Sequence, residues 1–292
     1  MTTHRIVTGH VSALLALPDG LDSAAARAAD RSLPGGWRLE AAPDAAGTAD
    51  IEVTIGAAAV TASRHTVRVR LPRAAASSDT LAYVTYTALE RARQRRRKVT
   101  MHGTALHPPG GPAVLLLGAK GAGKTSTALA LAARGWLHGG DDLVVLEGTE
   151  AGAAVWPGKP TAAVRAPARP LDPKPQHSLR PFVTGPAPLG RIVRVAVHPE
   201  LTAASLTPAR PLSVNERLRL HENLARYISG LPTPLNGVSG MPYGPVWPLD
   251  TPALARWRSH LIATLAASRF DYLHAPDAET AADLLAKETE TG

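Results

Sequence analysis

Residues 118 to 125 read Gly-Ala-Lys-Gly-Ala-Gly-Lys-Thr and match the pattern G-x-x-x-x-G-K-[ST] in full. Glycines let a backbone fold closely around an anion with its N–H groups turned inward, a geometry that a Cβ would obstruct. A helix beginning near Lys124 turns its positive end toward the same point. Lys124 is long enough to meet β and γ phosphates, and the Thr125 hydroxyl can ligate Mg²⁺. The segment Gly118, Ala119, Lys120, Gly121, Ala122, Gly123, Lys124, Thr125 and Ser126 is therefore expected to hold a nucleoside triphosphate, ATP, together with Mg²⁺. A second feature is the acid pair Asp141-Asp142, which follows Gly139-Gly140. A triphosphate site needs a carboxylate to hold the metal or the attacking group. Adjacent side chains on a strand point to opposite faces, so both acids reach one site only where the backbone turns, and two glycines make that turn easy. The same four residues also read as an ordinary loop-to-strand turn. No histidine has metal-site spacing.

The elements that must position these groups are legible in part. Ala113 to Leu117 is an apolar strand running into the glycine loop, and Lys124 to about Arg134 is a helix that Gly135 stops. Leu143 to Leu146 is a second apolar run, following the acids. Further strands are expected at 51–55, 66–71, within 153–165 and at 192–197. Helices are expected at 23–29, 80–96, 213–227, 251–267 and 278–286, with Ser213 and Glu216 forming a capping box. The Gly/Pro-rich stretch 229–249 reads as a lid or as a plain connection. Arg191 and Arg194 read as surface positions of a strand, with facing the phosphates from a neighbouring strand as the alternative. Arg91, Arg93, Arg95, Arg96, Arg97 and Lys98 read as the solvated end of a helix; aromatic residues are not interleaved with them, so nucleic acid is not the expected partner.

Composition bounds the class. The chain has 292 residues, 45% of them apolar, which suits one large domain or two modest ones and excludes a disordered chain. No apolar run approaches the ~20 residues of a membrane span. The absence of cysteine rules out disulfides and thiolate chemistry, and a soluble cytoplasmic protein is the expectation. The formal charge of +8 suits anionic partners without choosing among them. Only six of the 32 basic residues are lysines (98, 120, 124, 159, 174 and 287), so a lysine in the glycine loop calls for a reason.

The stretch Gly118 to Leu146 resembles the kinase domain of HPr kinase/phosphorylase and its smaller relatives, in the P-loop group that is similar to phosphoenolpyruvate carboxykinase. The family pattern runs G-x-x-G-x-G-K-S, a helix, then R-G-H-x-x-x-x-D-D and an apolar strand. Here it is G-A-K-G-A-G-K-T, a helix, then R-G-W-L-H-G-G-D-D-L-V-V-L, without a gap. His102-Gly103 falls where the family carries a histidine-glycine pair. Two departures stand out: Trp136 replaces the usual histidine, and the family's later arginine-glycine-arginine-asparagine segment is missing. The resemblance implies an α/β fold, with a kinase core of mixed sheet and flanking helices over 98–292; the first 90 residues carry no such resemblance, and their strand and helix patterns read as a small α/β unit over 1–97. The resemblance also implies a phosphotransferase acting on a hydroxyl, with a Ser or Thr of a peptide or protein as the acceptor. By position, Asp141 would be the general base and Asp142 would help place Mg²⁺ with Thr125, the two roles being exchangeable. Lys124 would neutralise the phosphates, and His102 would lie beside the transferred phosphoryl group. A free small-molecule alcohol as acceptor, and a nucleotide-binding regulator without transfer chemistry, are the alternatives. A homo-oligomer is left open.

Overall fold

A computed structural model describes residues 1–7, 12–21, 38–42, 49–63, 65–76, 78–164, 175–228 and 249–290. The expected helix at 23–29 and nearly all of the 229–249 stretch lie outside them. The chain is mixed α/β and divides into two units, Met1–Val99 with Glu222–Arg258, and Thr100–His221 with Ser259–Gly292. The sequence places a single boundary at 97, whereas the structure groups 222–258 with the first unit.

The first unit contains β1 (Thr2–Val7), β2 (Ser12–Leu17), β3 (Arg38–Ala41), β4 (Ile51–Ile55), β5 (Ala59–Ala62), β6 (Val67–Leu71) and α1 (Ser78–Arg95). The strands form a sheet in the order β3-β1-β2-β4-β6-β5. β2, β4 and β6 run parallel and the other pairs antiparallel. Alternation in β6 buries Val67, Val69 and Leu71 and exposes Arg68 and Arg70, as a sheet with one apolar face requires. The basic run at the end of α1 is only partly solvated. Arg91 and Arg93 are buried while Arg95, Arg96 and Arg97 are exposed. A buried arginine is tolerable only when paired, and Arg93 lies 3.8 Å from Glu90 while Arg91 donates to the Ser63 carbonyl.

The second unit begins within β7 (Lys98–His102) and continues with β8 (Thr104–His107), β9 (Ala113–Leu117), α2 (Lys124–Ala133), β10 (Leu137–Gly140), β11 (Leu143–Thr149) and β12 (Gly152–Trp156). Next come β13 (Thr161–Ala163), β14 (Gln176–Ser178), β15 (Ala187–Val197), β16 (Ser205–Pro208), α3 (Val214–Ala225) and α4 (Pro252–Ala267), whose residues 222–225 and 252–258 fall in the first unit, then β17 (Arg269–Ala275) and α5 (Ala278–Glu290). The large sheet has the order β10-β8-β9-β15-β12-β11-β7, with β17 added on β15 and β16 on β17. β9, β15 and β17 are parallel. All five residues of β9 are buried, which explains why its sequence is a continuous apolar run rather than an alternation. Leu131 of α2 and Leu285 of α5 join Val114, Leu116, Val193, Val195 and Leu273 in one core. Each such side chain contributes roughly 1.5–3 kcal/mol by leaving water. Among the described residues no helix is long and apolar enough to cross a membrane.

Two sequence expectations are corrected here. Arg191 and Arg194 are not surface residues. Arg191 is buried with its Nε 2.6 Å from Asp271, and Arg194 is paired with Glu216. β15 lies inside the sheet with strands on both sides, so a cation there must carry its own counterion. Glu216 accordingly does not close a capping box. Its N–H donates to Ser213 Oγ at 3.2 Å, but its carboxylate turns to Arg194 and Arg219.

Candidate functional site

β9 delivers the chain to Gly118, and α2 begins at Lys124. Gly123 stands at the helix N-cap with φ +90°, and a Cβ there would lie 2.6 Å from the Cβ of Val197. Glycine is therefore required on both conformational and steric grounds. Val197 ends β15, and its N–H donates to the Ala122 carbonyl at 3.1 Å. The loop is thus fastened to the neighbouring parallel strand, at the carboxyl ends of the strands where open α/β sheets take their ligands. Lys124 is buried and donates to the carbonyls of Gly118 (2.9 Å) and Ala119 (3.1 Å).

One helical turn holds the next contact. The Thr125 hydroxyl lies 3.0 Å from both carboxylate oxygens of Asp141. Asp141 is 2% exposed and also accepts from Thr104 Oγ1 at 2.6 Å. Thr104 sits opposite Leu116 in the β8–β9 pairing, beside the strand end that feeds the loop. Burial pushes the Asp141 carboxyl above the usual carboxylate range and the charge of Asp142 adds to that; the bonds from Thr104 and Thr125 pull the other way. His138, three residues earlier on β10, is held below its ordinary value by burial, against the pull of Asp141.

Asp142 faces another environment. Its φ is +62°, so the chain turns between β10 and β11 and the two acids part. Asp142 has a side-chain exposure of 43%, and Lys159 Nζ lies 3.7 Å from its Oδ2. Its carbonyl accepts from the Gly103 N–H at 3.1 Å, which brings the end of β7, and so His102, beside the acid pair in the chain. The segment 158–159 lies across this turn. Asp141 N–H donates to the Lys159 carbonyl (3.1 Å), and Lys159 N–H donates to the Leu143 carbonyl (3.1 Å). The approach is so close that a Cβ on Gly140 would stand 2.9 Å from Gly158 Cα.

The structure therefore brings Thr125 and Asp141 together directly, with Lys124 one residue before Thr125, Asp142 next to Asp141 in the chain, and His102 next to the Gly103 that bonds Asp142. Lys120, Gly121 and Ser126 belong to the same loop and first helical turn. It is Asp141, rather than Asp142, that reaches Thr125. A magnesium ion fits between a threonine hydroxyl and a carboxylate this close, both being hard oxygen ligands. Two site residues escaped the sequence reading. Thr104 had no signal beyond its place after His102-Gly103. Lys159 had one: a scarce lysine in a Pro-Gly-Lys-Pro turn.

No protein-family model and no curated protein matches the chain. Among solved structures, the chain is similar to that of the Hpr(Ser) kinase/phosphatase from Coxiella burnetii, at 16% identity and a TM-score of 0.25. The alignment covers 36% of this chain and spans 63% of the length of that one.

Proposed function

We propose that the second unit is an MgATP-dependent phosphotransferase that moves a γ-phosphoryl group onto a hydroxyl. The observation that carries this reading is the Thr125–Asp141 contact at 3.0 Å, one residue past the loop lysine. It joins the loop and the acid pair in one place, as phosphoryl transfer needs. A Ser or Thr side chain of a peptide or protein is the acceptor that the motif resemblance supports.

The geometry favours one of the two assignments that the sequence leaves open. Asp141, buried against Thr125, is the acid suited to hold Mg²⁺ with that hydroxyl. Asp142, turned outward, is the acid suited to meet an acceptor. The loop amides and Lys124 hold the β and γ phosphates, Lys124 exchanging its two carbonyl bonds for phosphate oxygens. Bound magnesium would neutralise charge on those phosphates. The acceptor hydroxyl gives its proton to the Asp142 carboxylate as its oxygen forms a bond to the γ phosphorus. The bond from that phosphorus to the β–γ bridging oxygen breaks, and its electron pair leaves with ADP.

The test is transfer from γ-labelled ATP to hydroxyl-bearing peptides by the purified chain with Mg²⁺. Lys124→Ala, Asp141→Asn and Asp142→Asn should each lower transfer by about a hundredfold or more. Wild-type rates in Lys124→Ala or Asp141→Asn would reject the assignment.

A further inference from the structure

Lys159 is the group that the reading above leaves without work. It is 6% exposed, yet its ammonium makes no hydrogen bond to any described residue. Among the described residues its ion-pair partner is Asp142, at 3.7 Å, beyond hydrogen-bond range. An ammonium carries three donors, and none of these is spent on a described residue, although most of the side chain is buried. The backbone fixes this arrangement at some expense. Lys159 is bonded through both its N–H and its carbonyl to the strand turn that carries the acids, and two glycines, 140 and 158, keep that contact open. Pro157 and Pro160 stiffen the segment on either side. In a chain that otherwise uses arginine, a lysine here supplies a compact, mobile point charge rather than a planar fork.

We propose that Lys159 is a catalytic cation of the transfer site, offering its unused N–H donors to an anionic oxygen of the phosphoryl group in transit while its charge holds Asp142 in place. This rests on the nucleotide reading of the site. The bonds made and broken are those given above; Lys159 keeps its protons throughout. It would act on the acceptor side of the phosphoryl group, with Lys124 on the donor side.

The test is Mg-ADP affinity measured alone and with fluoroaluminate, which stands in for the phosphoryl group in flight. In the wild type, fluoroaluminate should tighten Mg-ADP binding by about a hundredfold or more. Lys159→Met should bind Mg-ADP within about twofold of wild type but lose about tenfold or more of that tightening, while Lys159→Arg keeps most of it. Lys159→Gln repeats the measurement should the Met variant fail to fold. A folded Met or Gln variant that tightens as fully as the wild type overturns the assignment. So does a wild type that binds Mg-ADP without tightening. A wild type that binds no Mg-ADP brings down the nucleotide site itself, and this role with it.

Discussion

Asp141 is a carboxylate kept where its charge is costly. Burial raises its folded pKa above the ordinary value near 3.8, and the hydroxyls of Thr104 and Thr125 only partly offset that. A raised folded pKa means that the folded state binds the proton more tightly than the unfolded chain does. Stability is then lost as pH rises from the unfolded pKa through the folded one, and the cost remains in full at neutral pH. Asp141→Asn, which keeps the shape and an acceptor oxygen, should therefore melt at a higher temperature than wild type at pH 7. That advantage should shrink as the pH falls and vanish below about pH 4, where both forms are neutral. Melting curves across pH check both the sign and the window; a variant less stable than wild type at pH 7 contradicts the account. At this scale residue type and spacing single out Lys124, Thr125 and the two acids, and the structure sets one of those acids against Thr125. The sequence did not say which acid is buried, because that depends on the left-handed backbone at Asp142, and aspartate enters that conformation without a fixed local signal.

Helices and strands with strong periodicity or a flanking glycine were equally legible: β9, α2, β11 and α5 fall close to where the sequence puts them. β17 was missed, since Arg-Phe-Asp-Tyr-Leu-His-Ala mixes polar and apolar residues in a way that only its pairing with β15 explains. Long-range polar contacts were also hidden. Arg258 on α4 is 1% exposed, pairs with Asp250, and donates to Gln94 Oε1 of α1 at 2.6 Å. Gln94 in turn donates to Glu90 at 2.9 Å and to the Leu224 carbonyl at 3.2 Å. This network ties the 222–258 stretch to α1 through Arg258, Gln94 and Glu90, all buried, with Asp250 reaching partly to solvent. Arg258→Ala should lower unfolding stability by about 3–5 kcal/mol, because it strands buried partners rather than removing a surface pair. Urea unfolding of the variant measures this, and a loss under about 1 kcal/mol would mean that the network is solvated.

Over the whole molecule, the boundary legible in sequence is not where a cut can be made. Composition shifts and motif positions point to 97, but contacts far apart in sequence return 222–258 to the first unit. A chain beginning at residue 98 would strip Tyr227 of its edge-on contact with Tyr86, 4.7 Å between ring centres, and Arg258 of Gln94. It should be recovered largely aggregated, and the full chain should elute as a single monodisperse peak in size-exclusion chromatography. A monomeric 98–292 fragment with a cooperative melt would contradict that. The order of strands has its own consequence in time. β17 hydrogen-bonds to β15, the strand that fastens the glycine loop, and α5 packs against α2, the helix that follows that loop. Both come from 269–290. While a nascent polypeptide is still threaded through the ribosome at that point, the loop's glycines and lysine have already emerged but the sheet beneath them is unfinished, so the loop gains its full support only once 269–290 have emerged as well.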